Sequence, residues 1–121
     1  MTKTVLTVDD SRTMRDMLLL ALEGAGYTVI QAVDGVDGLE TLAAKGTDVV
    51  ITDINMPRMD GFGFIEGMRA HTDHRTTPVP VLTTESDAEK KQRARAAGAT
   101  GWIVKPFDPV KLVDAVRRVA A

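Results

Sequence analysis

An alternation narrows the fold of this chain more than any other feature. Five short, β-rich apolar runs are separated by longer segments with helical periodicity. Thr4-Val5-Leu6-Thr7-Val8 leads into Asp9-Asp10, and Tyr27-Thr28-Val29-Ile30 follows Gly24 and Gly26. Asp48-Val49-Val50-Ile51-Thr52 leads into Asp53, and Val79-Pro80-Val81-Leu82-Thr83 and Gly101-Trp102-Ile103-Val104 complete the set. The third run is apolar at consecutive positions, which predicts burial on both faces, as in a parallel sheet. Pro80 has no amide hydrogen to give a ladder and belongs at a strand's start.

The intervening segments read as helices. Ser11 caps the first, whose apolar stripe is Met14, Met17, Leu18, Ala21 and Leu22. The second spans about Val36 to Lys45 and closes at Gly46, and the third spans Phe62 to Ala70. The fourth, from Ala88 to Ala97, is polar and ends at Gly98; Asp108-Pro109 opens the fifth. In that last helix Val110, Val113, Val116 and Val119 are expected to face inward, and Lys111, Asp114, Arg117 and Arg118 outward. Strand–helix alternation of this kind predicts an α/β fold, a doubly wound five-stranded parallel sheet with helices on both faces.

The chain has 121 residues, which suits one domain spanning 1–121, and no linker or repeat interrupts it. It lacks cysteine, which excludes disulfides, thiolate metal sites and a cysteine nucleophile. A net charge of -2 speaks against a general nucleic-acid binder, which should be basic. No apolar run is long enough to insert in a membrane, and the first residues lack the apolar core of a signal peptide. A soluble cytoplasmic monomer with no nucleic-acid partner is the expectation.

Ligands of such folds bind at the carboxyl ends of the strands. The residues placed there are Asp9, Asp10, Asp53, Thr83 and Lys105. Three carboxylates gathered at one edge cannot all ionise comfortably without a cation. A hard divalent ion with oxygen ligands, Mg²⁺ above all, suits them and favours phosphate as a further ligand. Lys105 and Thr83 supply a positive charge and a donor for phosphoryl oxygens. The residues therefore describe a carboxylate–Mg²⁺–phosphoryl site.

Val8-Asp9-Asp10-Ser11, Thr52-Asp53-Ile54-Asn55-Met56-Pro57, Met59-Asp60-Gly61, Thr83 and Lys105-Pro106-Phe107, in that order, resemble a response-regulator receiver domain of the stand-alone, CheY-like chemotaxis type. The resemblance covers essentially the whole chain and implies a flavodoxin-like strand order of 2-1-3-4-5, with no output domain. It implies that Asp53 is the phosphoacceptor, phosphorylated by a CheA-like histidine kinase. Mg²⁺ would be held by Asp10, Asp53 and the backbone carbonyl of Asn55, with Asp9 acting through water. Lys105 would pair with Asp53 at rest and contact the phosphoryl group afterwards, Thr83 would hydrogen-bond that group, and Lys105-Pro106 would be a cis peptide. Asn55 and Glu85 would flank the phosphoryl group and influence its hydrolysis. A flagellar motor switch protein or a phosphatase would be a further partner, or the domain would serve as a phosphate sink. The partner surface would involve Glu85, Lys90, Lys91, Trp102 and Arg118. Two positions depart from the family pattern: Trp102 stands where Tyr or Phe is usual, and Thr84 where a small residue is common.

The main alternative is a phosphatase with an aspartyl nucleophile, of haloacid-dehalogenase type. Such an enzyme needs a second Asp two places after the nucleophile as general acid, and Asn55 stands there. The expectation is a phosphorylated signalling protein, not an enzyme acting on other substrates. Among the remaining motifs, Gly61-Phe62-Gly63 lacks the third glycine of a dinucleotide fingerprint at the right spacing. Met14, Met17, Met56, Met59 and Met68 are expected to fill the core and turns. Glu89, Lys90, Lys91, Arg93 and Arg95 are read as a solvated helix face. His71 and His74, spaced like a metal pair, are expected in a surface loop away from the acids.

Overall fold

The computed structural model describes residues 2–120. Five strands, β1 (Thr4–Val8), β2 (Thr28–Ala32), β3 (Val49–Thr52), β4 (Pro80–Thr83) and β5 (Gly101–Val104), alternate with five helices. The helices are α1 (Arg12–Gly24), α2 (Gly35–Lys45), α3 (Gly61–Ala70), α4 (Ala88–Ala97) and α5 (Pro109–Ala120), and a single 3-10 turn covers Thr72–His74. All strand pairs are parallel and the order is β2-β1-β3-β4-β5, as expected. Pro80 is the first residue of its strand. β1 pairs along its whole length with β2; β3 pairs with β4 at Thr52↔Val81, and the Val50 amide donates to the Pro78 carbonyl just before β4 at 2.9 Å.

The sheet is buried on both faces because its apolar residues alternate. Leu6, Val8, Val50, Val79 and Val81 face Leu42 of α2, Phe64, Ile65 and Met68 of α3, and Ala94 of α4. Val5, Val49, Ile51 and Leu82 face Leu18 and Leu22 of α1 and Leu112 and Val116 of α5. Each such large side chain removed from water contributes about 1.5–3 kcal/mol before the entropy of ordering it is charged. β5, on the edge, is the least covered strand.

Helix starts are fixed by side-chain caps. Ser11 accepts from the Met14 amide at 3.2 Å, as read from the sequence. Asp34, Asp60 and Asp87 do the same for α2, α3 and α4. Each oxygen satisfies an amide that a helix start leaves without a partner.

Three sequence expectations are corrected. Met17 is 45% exposed, one residue and so about 100° around α1 from buried Leu18. Val110 is 69% exposed; the inward position is Leu112, more than half a turn away. His74 is buried, because the segment after α3 folds back on the domain. Its Nδ1 lies 3.0 Å from the Thr77 hydroxyl, and Arg69 donates to the carbonyls of His74, Thr77 and Gly98. Burial lowers the pKa of both His74 and Arg69.

Candidate functional site

The parallel register delivers the strand-end residues to one edge of the sheet. Asp9 and Asp10 follow β1, Asp53 follows β3, Thr83 ends β4 and Lys105 follows β5. One carboxylate oxygen from each of Asp9, Asp10 and Asp53 lies within 4.8 Å of the others. Asp9 and Asp53 are buried and Asp10 is exposed. Lys105 Nζ donates to Asp53 Oδ2 at 2.9 Å and to Asp9 Oδ2 at 2.8 Å. The pairing with Asp53 was expected; the one with Asp9 was not. The Lys105-Pro106 peptide is cis.

The electrostatics are divided. Burial raises the pKa of Asp9, against the opposing pull of hydrogen bonds from Lys105 and the Ser11 amide. Burial alone would lower the pKa of Lys105, but hydrogen bonds to Asp53 and Asp9 outweigh it and leave the ammonium more firmly protonated than usual. One cation thus serves two buried acids. A third acid nearby leaves the cluster short of positive charge, and its hard oxygen donors fit a small divalent cation.

The polar rim is braced from two loops. Ile54 N–H donates to Asp53 Oδ1 at 2.6 Å, and the Gly61 amide donates to the Ile54 carbonyl. A Cβ on Gly61 would collide with the Asp53 carbonyl, so the loop closes directly over the backbone of Asp53. Asn55 Nδ2 donates to Glu85 Oε1 at 3.0 Å, and Lys90 Nζ pairs with the same oxygen at 3.1 Å. The Asn55 bond first, and Lys90 second, lower the pKa of Glu85. Thr83 Oγ1 accepts from the Glu85 amide. The Trp102 ring N–H donates to the Glu85 carbonyl at 3.1 Å, while its ring packs against the cluster under α2, α3 and α4. Thr84 is exposed beside them.

Asp9, Asp10, Asp53, Thr83 and Lys105 therefore share one edge, and Asn55, Glu85 and Trp102 join it through the rim. The solvated reading of α4 holds for Glu89, Lys91 and Arg95, but Lys90 turns back to Glu85 and Arg93 lies over the Phe62 ring. Asp34 and Arg58 escaped sequence reasoning as a pair. Asp34-Gly35 before a periodic segment carries a helix-cap signal; nothing in the sequence marks Arg58 as its partner. Arg58 Nε and Nη2 meet Asp34 Oδ2 and Oδ1 at 2.7 and 3.1 Å.

The chain is similar in sequence and in fold to known proteins. Chemotaxis protein CheY1 of Helicobacter pylori is 39% identical over 112 residues, which is 91% of this chain and 90% of that protein. The solved structure of Vibrio cholerae chemotaxis protein CheY4 is similar at a TM-score of 0.94 and 44% identity, covering 98% of this chain and 99% of that one. A probable transcriptional regulator of Porphyridium aerugineum, ycf27, is 34% identical over 115 residues; they are 95% of this chain but 47% of that protein, so the chain spans about half of its length. The family model described as the response regulator receiver domain matches residues 5–117, and the chain belongs to that family.

Proposed function

We propose that this chain is a phosphoacceptor in two-component signalling and that Asp53 receives the phosphoryl group. The observation that carries this reading is the Asp53 carboxylate held on Lys105 beside Asp9 and Asp10. A carboxylate oxygen of Asp53 attacks the phosphorus of a phosphohistidine. The new P–O bond forms as the P–N bond breaks, and the electron pair returns to the imidazole. Asp10, Asp53 and the carbonyl of Asn55 would hold Mg²⁺, with Asp9 behind a water. When bound, Mg²⁺ supplies the positive charge that stabilises the transferring group.

The chain's own residues divide the remaining work. Lys105 keeps the second acid, Asp9, neutralised at rest and turns to a phosphoryl oxygen once Asp53 is modified. Thr83 offers its hydroxyl to the same group. Glu85 links Thr83 to Trp102 through its amide and carbonyl, so a shift of Thr83 is felt at the edge strand. The donor is a histidine kinase of CheA-like type. The output is chemotactic, either docking on a flagellar motor component or draining phosphate from a shared kinase.

Incubation with Mg²⁺ and acetyl phosphate, followed by intact mass measurement, tests the reading. A single acid-stable, base-labile adduct that disappears in Asp53→Asn is expected. Rapid turnover of many phosphate monoesters without an adduct would overturn it in favour of a phosphatase. Phosphotransfer from the kinases of the source cell, paired with a phospho-dependent pull-down of motor components, separates the two outputs. Fast transfer without capture identifies the sink.

A further inference from the structure

The loop after Asp53 is fastened at both ends, and its far fastening involves no residue of the acid cluster. At the near end Ile54 N–H binds the Asp53 carboxylate and the Gly61 amide binds the Ile54 carbonyl. At the far end the Gly35 amide donates to the Met59 carbonyl at 3.1 Å, and Arg58 grips Asp34 with two hydrogen bonds. Gly35 packs so closely on Met59 that a Cβ there would lie 2.7 Å from both Met59 Cγ and the Met59 carbonyl oxygen. Arg58 adopts φ 64°, and it is the one non-glycine residue with positive φ among those described. A glycine would take that conformation without strain. The arginine instead spends conformational energy, and what it reaches is Asp34, whose side chain is almost wholly covered. Asp34 is itself fixed, since its Oδ1 caps α2 by accepting from the Asp37 amide at 2.8 Å.

We propose that the Arg58–Asp34 pair is a positioning clamp for the metal-binding loop, setting Mg²⁺ affinity by holding Asn55 between two anchored ends. The clamp rests on the reading of Asn55 as a metal ligand. Neither Arg58 nor Asp34 belongs to the acid cluster. Their effect runs through the backbone from Met59 back to Asn55, as outer partners of metal ligands commonly act.

The test is calorimetric titration of Mg²⁺ into the whole protein and its variants, with thermal melting in EDTA alongside. Arg58→Gly removes the clamp and relieves the φ strain together. Its expected signature is a loss of Mg²⁺ affinity of about tenfold with a melting temperature unchanged or raised. Asp34→Asn keeps an oxygen to cap α2 but gives up the charge, and should lose a smaller share of affinity. The double variant should bind Mg²⁺ no more weakly than Arg58→Gly alone, since both changes break one link. Arg58→Gly binding Mg²⁺ within twofold of the unaltered protein would overturn the clamp while leaving the proposed function intact. Absence of Mg²⁺ binding by the unaltered protein would overturn that function, and the clamp with it.

Discussion

Asp9 and Asp34 are equally hidden from solvent, at 2% and 4% exposure, and the fold treats them in opposite ways. The carboxyl of Asp9 is pushed up by burial despite the lysine beside it. Hydrogen bonds from Arg58, and then from the Asp37 amide, hold Asp34 below the usual carboxylate range. Asp34 therefore fastens two loops and contributes to stability. At Asp9 burial disfavours the ionised form, and the bonds from Lys105 and the Ser11 amide offset that only in part. A carboxylate whose charge is disfavoured by burial, at a strand end beside two further carboxylates, fits the cation site proposed above.

Four substitutions sharpen or break that contrast. The largest effect is expected from Lys105→Met, which strips from two buried carboxylates the one cation that pairs with them among the described residues. Urea denaturation in EDTA should show a loss of about 3 kcal/mol, and millimolar Mg²⁺ should return part of it. No recovery with Mg²⁺ would mean that the acids do not bind the ion.

Asp9→Asn should move the other way, raising stability in EDTA by about 1–2 kcal/mol and abolishing most of the stabilisation by Mg²⁺. The pH dependence follows from the raised pKa. The cost of an ionised Asp9 is present in full above its folded pKa and fades as pH falls toward the ordinary value of 3.8, so the gain from Asp9→Asn should fade with it. A gain that grows on acidification would contradict the assignment.

Asp34→Ala should cost about 1 kcal/mol for the lost cap, together with the pair to Arg58, in thermal or urea unfolding in EDTA, and more in Mg²⁺, since the clamp goes with it. Asp34 has a lowered pKa, so its stabilisation is complete above 3.8 and is lost as pH falls through the folded value beneath it. The cost of the substitution should hold steady from neutral pH to that range and then shrink. The smallest effect belongs to Thr7→Val, two residues before Asp9 on β1. The Thr7 hydroxyl is buried with no hydrogen-bond partner, and replacing it with a methyl of similar size should gain up to about 1 kcal/mol. A loss there would point to a water or ion that the hydroxyl serves.

Strand identity was readable because the apolar runs are short, separated and each followed by a turn or an acid, whereas the strand order came from the family resemblance. The acid cluster was readable for a related reason: parallel strands put their ends at one edge, so Asp9, Asp53 and Lys105 converge whatever their distance in sequence. Helix faces were less legible. Val110 and Met17 are apolar and sit near the right period, but a rotation of about 100° suffices to turn a side chain out, and single apolar residues at a surface carry little penalty. His74 was misread because the fold-back after α3 is held by Arg69 on three carbonyls, and no residue pattern announces a bond to a carbonyl. Arg58 and Lys90 were missed for a similar reason. Arg58 reaches Asp34, 24 positions away, and Lys90 reaches back to Glu85 before the start of its helix, and no local pattern marks either pair.

The seam between β3 and β4 divides the residues of the site by strand. On one side lie β2-β1-β3, which carry Asp9, Asp10 and Asp53; on the other lie β4-β5, which carry Thr83 and Trp102. The site straddles the joint. In the proposed function a phosphoryl group held by Asp53 on one side and Thr83 on the other would bridge the two sets of strands, so its arrival and loss would be felt across the sheet rather than within one loop.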